Sequence, residues 1–98
     1  MGSQIIEYSY SGDEAAWRQS IESFHDNIAA DAVLREGFTY QVFVREDGAT
    51  RVHVPVWRDP SVLEHLRAQP FFKEFAAQVK DFAGGEITYT KPVLETTP

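Results

Sequence analysis

Hydrophobic and polar residues alternate in four stretches of the chain, as they do in strands that bury one face. These stretches are residues 4–10, 38–45, 49–57 and 86–91. Between the first and second, and between the third and fourth, apolar residues recur every three or four positions, which is the spacing on one face of a helix. The pattern therefore predicts the element order βαββαβ.

The first predicted helix follows Ser11-Gly12-Asp13-Glu14, which matches a capping box with Ser11 as the cap and Glu14 three residues later. We expect this helix to end around residues 29–31. Residues 33–37 then add one more turn, which Gly37 ends. The residues that share the apolar stripe of the helix are Trp17, Ile21, Phe24 and Ile28.

The second helical region is predicted to consist of two segments. Asp59 can cap the first segment, and Pro60 suits its first position. Pro70 would clash with the carbonyl one turn earlier, so we expect a break near residues 68–69. The second segment presents one broad apolar face, which needs a large apolar partner. This face comprises Phe71, Phe72, Phe75, Val79 and Phe82.

The central hairpin turns at Glu46-Asp47-Gly48, and its loop length decides which side chains share a face. A two-residue loop would place Arg51 and His53 beside the aliphatic residues of the preceding strand. We expect a three-residue loop, which instead puts the aliphatic residues of both strands together. The shared face then comprises Phe38, Tyr40, Val42, Val44, Val52, Val54 and Val56. The opposite face comprises Thr39, Gln41, Phe43, Arg51, His53, Pro55 and Trp57.

The element order predicts an α+β ferredoxin-like fold, in which a four-stranded antiparallel sheet carries both helices on one face. The other face would expose Ile5, Phe43 and Trp57, which is a liability for a monomer. Two copies packed sheet to sheet would bury these residues, so we expect a homodimer, a dimeric α+β barrel. The length of 98 residues suits one domain, spanning residues 1–98.

Composition narrows the range of partners. The chain has 15 acidic and 9 basic residues and a formal net charge of −6, which disfavours nucleic acids and anionic membranes. It contains no cysteine, so disulfides and thiol catalysis are excluded. The N-terminal residues lack the basic and apolar segments of a signal peptide, and no apolar stretch reaches transmembrane length. We therefore expect a cytoplasmic protein.

The stretch EGFTYQVFVREDGATRVHVPVW, followed by RDPSVLEHLRAQPFFKEF, resembles the antibiotic biosynthesis monooxygenase (ABM) family of the dimeric α+β barrel superfamily. The motif covers residues 36–76. The resemblance implies a dimeric barrel and a monooxygenase that acts, without a cofactor or metal, on a small aromatic or quinone-like compound. The residues that match the family pattern are Gly37, Trp57, Asp59, His65, Phe72 and Phe75.

Haem-degrading proteins on the same scaffold have a histidine ligand about one helix-length beyond the start of the Phe-rich segment, and an asparagine on the first strand. The corresponding region here is Phe75-Ala76-Ala77, which has no histidine, and QIIEYSYSG has no asparagine. Haem cleavage is therefore not expected.

His65 is the candidate catalytic residue. An imidazole with a reference pKa of about 6.5 could take a proton from an acidic phenol, and the resulting anion could react with O₂. His65 also lies off the apolar stripe of its helix, which fits a half-exposed histidine without a catalytic role. The three histidines are not at metal-ligand spacing, so no metal is expected.

Four aromatic residues are candidates for contact with a substrate: Tyr40, Trp57, Phe72 and Phe75. Tyr40 could donate a hydrogen bond to a ligand carbonyl, and the other three could form a stacking wall. The alternative is that they form ordinary core. His53 has two interpretations as well, as a polar group inside the barrel or as a hydrogen-bonded residue of the dimer interface.

Two further functions remain open on the sequence alone. One is a non-catalytic dimeric binding or scaffold protein, and the other is a small isomerase or decarboxylase on the same fold. A cavity that contains a polar group would distinguish an enzyme from a scaffold. Dependence on O₂ would distinguish an oxygenase from an isomerase.

Overall fold

The computed structural model describes residues 1–91, so residues 92–98 of the predicted domain lie outside the described part. The elements follow the predicted order, and their bounds are as follows. The strands are β1 (Gly2–Ser3), β2 (Ile5–Ser9), β3 (Phe38–Val44), β4 (Thr50–Trp57) and β5 (Thr88–Thr90). The helices are α1 (Glu14–Ala29), α2 (Ala32–Gly37), α3 (Pro60–Arg67) and α4 (Pro70–Phe82).

All strand pairs are antiparallel, and β4 lies between β3 on one side and β1 and β2 on the other, with β5 next to β2. β1 and β2 pair with β4 in one continuous register, since Gly2 lies opposite Trp57 and Ile6 opposite His53. Gln4, between them, still donates its backbone N–H to the Pro55 carbonyl at 3.1 Å. The two segments thus occupy the place of the single first strand, and the ferredoxin-like arrangement is confirmed.

Helix α1 begins one residue after Asp13, and the prediction that Ser11 caps it was wrong. The Asp13 carboxylate accepts hydrogen bonds from the backbone N–H groups of Ala15 and Ala16. Aspartate is as good a cap as serine, and Asp13 is the residue that directly precedes the first helical turn. The predicted apolar stripe is confirmed, because Trp17, Ile21, Phe24 and Ile28 are the buried residues of the helix.

The predicted break in the second helical region is confirmed. Helix α3 ends at Arg67 and α4 begins at Pro70. Asp59 caps α3 by accepting the backbone N–H groups of Ser61 and Val62. The apolar faces of α1 and α4 meet over the sheet, where the Phe24 and Phe75 rings stack with centroids 3.9 Å apart. These contacts supply the large apolar partner that the α4 face requires.

The hairpin register differs from the expected one. Val42 lies opposite His53, and Val44 lies opposite Arg51. The Arg45 N–H bonds to the Thr50 carbonyl at 2.9 Å, so the turn encloses residues 46–49 and is one residue longer than expected. Directly opposite residues share a face, so Arg51, His53 and Trp57 lie beneath the helices with Tyr40. The three valines of β4 lie on the outer face.

Polar residues can occupy the face of the sheet beneath the helices because each has hydrogen-bond or charge partners there. Arg51 is 2% exposed, and its Nη1 lies 2.8 and 2.6 Å from the two carboxylate oxygens of Glu14. Its guanidinium also lies 4.4 Å from the centroid of the Trp17 ring. His53 is fully buried and bonds to two tyrosine hydroxyls. Because the Arg51 charge is paired and the His53 imidazole is hydrogen-bonded, neither residue incurs the full free-energy penalty of desolvation. That penalty was the reason for expecting the other register.

The outer face of the sheet carries a patch of apolar side chains, which comprises Ile5, Phe43, Val52, Val54 and Val56. Phe43 is 51% exposed. Trp57, which was expected on this face, is on the helix side instead, and the valines take its place. Within residues 1–91, all four helices lie on the other side of the sheet, and none is long and apolar enough to cross a bilayer.

Candidate functional site

A cavity of about 160 Å³ lies between the sheet and helices α3 and α4. The sheet contributes Tyr40 and Trp57, α3 contributes Leu63, and α4 contributes Phe72 and Phe75. Its lining is mainly apolar, with aromatic rings from two layers of the fold. Such a site removes a flat ligand from water and contacts both its faces.

All four aromatic residues proposed from the sequence line this cavity. The observed hairpin register is what brings them together, because Tyr40 lies opposite Pro55 and Phe38 lies opposite Trp57. In the expected register, Trp57 would have been on the outer face, away from Tyr40. The four candidates therefore line one cavity, whereas the expected register would have separated Trp57 from Tyr40. Their contact with a substrate stays a prediction.

His65 does not line the cavity. Its Nε2 lies 2.9 and 3.0 Å from the two carboxylate oxygens of Asp31, which caps α2. This hydrogen bond holds the pKa of the Asp31 carboxyl below its usual value. The contact ties α3 to α2, as a partly exposed histidine can do without any catalytic role. A role for His65 as a base stays a prediction, and it would require action from outside the cavity.

His53 is the histidine that bonds to a residue of the cavity wall. Its Nδ1 bonds to the hydroxyl of Tyr40, and its Nε2 lies 2.8 Å from the hydroxyl of Tyr8. Trp17 donates its Nε1–H to the same Tyr8 oxygen at 2.8 Å. The result is a buried chain of four polar side chains that runs from α1 through the sheet to the cavity wall.

Burial determines the charge state of this chain. Desolvation lowers the pKa of His53 to about 4, so the imidazole is neutral near pH 7. Desolvation also raises the pKa of Tyr40 well above its ordinary value, so Tyr40 keeps its phenolic proton. The Tyr40 hydroxyl in the cavity wall is therefore neutral.

Sequence reasoning left the role of His53 open because it placed that residue on the wrong face. One available signal was the pattern of tyrosines, since Tyr8 and Tyr40 both occupy inward positions on strands that flank β4. A buried tyrosine hydroxyl needs a hydrogen-bond partner, and His53 is the inward polar residue between them. That requirement would have favoured the observed register.

The volume of the cavity limits what it can hold. An engineered apolar cavity of about 150 Å³ binds benzene, whereas pockets for drug-sized ligands start at roughly 300 Å³. At about 160 Å³, this cavity has room for one aromatic ring. A fused system of three or four rings would not fit wholly inside it.

A larger depression of about 380 Å³ lies between α1 and α4. Its lining includes Gln19, Asn27, Glu74 and Gln78, which are exposed polar residues. Such walls offer less apolar burial to an aromatic ring than the inner cavity does. Among the residues described, no group of three or more histidine, aspartate or glutamate side chains is placed to hold a metal ion.

Solved structures share this fold over nearly their whole length. Rv0793 from Mycobacterium tuberculosis matches with a TM-score of 0.74 at 20% identity, covering 98% of both chains. SnoaB, a cofactor-independent oxygenase from Streptomyces nogalater, matches with a TM-score of 0.75 at 16% identity, covering 98% of this chain and 94% of its own. A third structure, an antibiotic biosynthesis monooxygenase, matches with a TM-score of 0.63 at 14% identity over the full length of both chains.

The chain has the ABM fold. The resemblance seen in the sequence is thereby confirmed at the level of the fold, which is what matches at these identities establish. No family model matches the sequence, and no curated protein matches it either. Evidence for a function on this ABM fold must therefore come from the cavity itself.

Proposed function

We propose that this protein is a cofactor-independent monooxygenase that binds a one-ring aromatic compound, such as a phenol or hydroquinone, in the cavity beneath α3 and α4. The observation that supports this most directly is an apolar cavity of one-ring size whose wall includes Tyr40, bonded to a buried histidine. A solid core would have favoured a scaffold. The ABM fold and its likeness to an oxygenase add support.

The walls of the cavity suit an aromatic ring. Trp57 comes from the sheet, and Phe72 and Phe75 come from α4, so rings from both layers face the same space. Stacked and edge-on contacts with a ligand ring contribute beyond the burial of apolar area. Tyr40 supplies a hydroxyl that can fix the position of a ligand oxygen.

The reaction needs no external reductant, because the substrate supplies all four electrons. A phenol loses its O–H proton and becomes an electron-rich anion that can transfer electrons to O₂. From phenol, one oxygen atom then forms the second carbonyl of a quinone; from hydroquinone, it forms the hydroxyl group of a hydroxyquinone. In both cases the other oxygen atom leaves in water with the two hydrogens lost from the substrate. A hydrogen bond from Tyr40 to the phenolate oxygen would lower the free energy of the anion. In this proposal His65, acting from outside the cavity, remains the candidate base.

Oxygen uptake by the protein with phenol and hydroquinone as substrates would test this function. We expect uptake above the rate of spontaneous oxidation, with quinone formed in proportion to the O₂ consumed. Consumption of the substrate that continues unchanged under argon would contradict the oxygenase function. Binding without turnover would indicate a non-catalytic binding protein.

Two phenylalanine variants test whether the cavity is the binding site. Phe72 lines the cavity, whereas Phe82 lies on the same helix and packs against Tyr10 outside it. We expect Phe72→Ala to weaken phenol binding several-fold in calorimetry, because one stacking wall is lost. Phe82→Ala removes the same number of atoms and should leave the affinity unchanged. Equal effects of the two variants would contradict the assignment of the site.

We also propose that the protein is a homodimer in which the outer faces of two sheets pack together. The apolar patch of the outer face supports this, because its Phe43 side chain is 51% exposed and would otherwise remain in water. A second copy of the chain offers a matching surface, and two-fold packing of identical patches is the commonest route to a closed assembly.

A further inference from the structure

We propose that the chain Trp17–Tyr8–His53 directs the hydroxyl proton of Tyr40 into the cavity, so that Tyr40 acts as a hydrogen-bond donor to an acceptor oxygen on the ligand. The cavity would then select rings that carry a phenolate, ketone or quinone oxygen over rings that lack one. The ligand part of this inference rests on the proposed function. The proton arrangement rests only on the hydrogen bonds of the protein itself.

The chain begins at Trp17, whose indole nitrogen can only donate a hydrogen bond. Its Nε1 lies 2.8 Å from the Tyr8 oxygen, so that oxygen is the acceptor. Tyr8 is 4% exposed, and the other partner of its hydroxyl within residues 1–91 is Nε2 of His53 at 2.8 Å. The proton of Tyr8 therefore points at Nε2.

The tautomer of His53 follows from that contact. Because Nε2 accepts the Tyr8 proton, it carries no proton of its own. A neutral imidazole has one N–H, which must then be on Nδ1. The low pKa that burial gives His53, about 4, agrees with the neutral form. The opposite tautomer would leave the Tyr8 hydroxyl proton without an acceptor in a buried position, which is unfavourable.

The direction of the Tyr40 proton is the last step. Nδ1 of His53 donates its proton to the Tyr40 oxygen, so the Tyr40 hydroxyl cannot donate back along the same line. Residues 1–91 provide that hydroxyl with no other hydrogen-bond partner. Tyr40 lines the cavity, so an acceptor atom of a ligand is the natural partner for its proton.

This arrangement makes His53 a positioning residue, because it acts on the ligand only through Tyr40. A donor fixed in advance spends no free energy on reorientation when a negative oxygen arrives. The bound ligand should therefore favour its anionic form over its neutral form. A ring with no oxygen would leave the Tyr40 proton unpaired in the cavity and should bind less tightly.

The tautomer can be measured directly on the ligand-free protein by ¹⁵N NMR of the histidine rings at pH 7. We expect His53 to show a protonated Nδ1 and an unprotonated Nε2. In Tyr8→Phe, the acceptor role of Nε2 is no longer imposed, and the Nδ1-protonated form should lose population. A protonated Nε2 in the unmodified protein would overturn the inference.

The donor role can be measured with 4-nitrophenol, whose phenolate form absorbs at a longer wavelength than the phenol. We expect the pKa of the bound probe to lie about one unit below its value in water, as one added hydrogen bond to a charged oxygen would produce. Tyr40→Phe should remove this decrease, and Tyr8→Phe should reduce it. Arg67 also lines the cavity and favours the phenolate, so the comparison is made among variants that keep Arg67.

Tyr10→Phe is the control, because Tyr10 lies outside the cavity and its hydroxyl donates to the Asp13 carbonyl. It should leave the pKa of the bound probe unchanged. A shift that is kept in Tyr40→Phe, or that is lost equally in Tyr10→Phe, would overturn the inference. If His53 has the expected tautomer but the protein binds no 4-nitrophenol, the proposed aromatic site is wrong, and the ligand role of Tyr40 is wrong with it. If the probe binds and its pKa does not fall, the donor role alone is wrong.

Discussion

His53 is a titratable residue that the fold keeps neutral. Its pKa in the folded protein is about 4, below the ordinary value of 6.5, because burial disfavours the imidazolium. Between these two values the unfolded chain binds more protons than the folded one, so stability increases with pH there. The stabilisation is complete above pH 6.5 and is lost as the pH decreases to about 4.

The decrease in stability over this range can be predicted. A change from 6.5 to about 4 corresponds to roughly 3 kcal/mol in the free energy of unfolding. Urea denaturation at pH 7, 5.5 and 4 should show this loss in the unmodified protein. His53→Gln should be less stable at pH 7 but should show a flatter pH dependence. His25→Gln, at an exposed histidine whose charge also lowers the His53 pKa, should keep most of the slope because burial is the larger cause. An unmodified protein with no slope would contradict the prediction.

At the scale of residues, the sequence predicted which aromatic side chains line the cavity better than it predicted the contacts between side chains. It named Tyr40, Trp57, Phe72 and Phe75, and these line one cavity. It chose His65 as the catalytic histidine, whereas His53 is the histidine bonded to the cavity wall. The helical spacing of His65 was readable, but the partners of His53 come from two other strands and could not be read from local spacing.

At the scale of elements, Gly37 shows that a correct boundary can have an unexpected cause. Helix α2 ends at Gly37 as predicted, but the glycines with positive φ among the described residues are Gly48, Gly84 and Gly85. A Cβ atom on Gly37 would lie 2.8 Å from Cγ2 of Val62. Glycine is thus needed there for the close approach of α3, and not for a left-handed cap.

The contact between Gly37 and Val62 gives a prediction at this scale. Gly37→Ala should destabilise the protein by about 1–3 kcal/mol, because Val62 is fully buried and has little room to move. Val62→Ala removes the clashing methyl groups, so the double variant should be more stable than the sum of the two single effects implies. Denaturant unfolding of all four proteins measures the coupling. Simple additivity would mean that the two residues do not interact.

Helices were easier to predict than the pairing of strands. Caps, prolines and apolar spacing lie within a few residues of each other, so Asp59, Pro60 and Pro70 could be interpreted locally. The hairpin register depended on whether Arg51 and His53 could be buried. The burial of Arg51 depended on Glu14, 37 residues away along the chain, and the burial of His53 depended on Tyr8, 45 residues away.

At the scale of the whole molecule, none of the helices of residues 1–91 covers the outer face of the sheet. The corrected register makes this face more apolar than expected, because Val52, Val54 and Val56 replace Arg51, His53 and Trp57 on it. The case for a homodimer is therefore stronger than the sequence alone suggested, since the free energy gained on association grows with the apolar area buried.

Charge placed on this face should disrupt the proposed dimer. Phe43 is 51% exposed, so Phe43→Lys should leave the folded chain intact while it puts two like charges near the proposed two-fold interface. We expect sedimentation analysis to show a shift from dimer towards monomer. Val33→Lys is the control, because Val33 is 41% exposed and lies on α2, away from the sheet. A monomeric unmodified protein would contradict the dimer proposal.

The sequence by itself determined the element order, the break in the second helical region and the apolar faces, because these follow from spacing and from the local chemistry of caps and prolines. Only the tertiary structure decided the hairpin register, the burial of Arg51 and His53, and the cavity between the layers. The physical reason is that the free-energy cost of burying a polar residue depends on its hydrogen-bond and charge partners. Here those partners belong to elements that are distant along the chain.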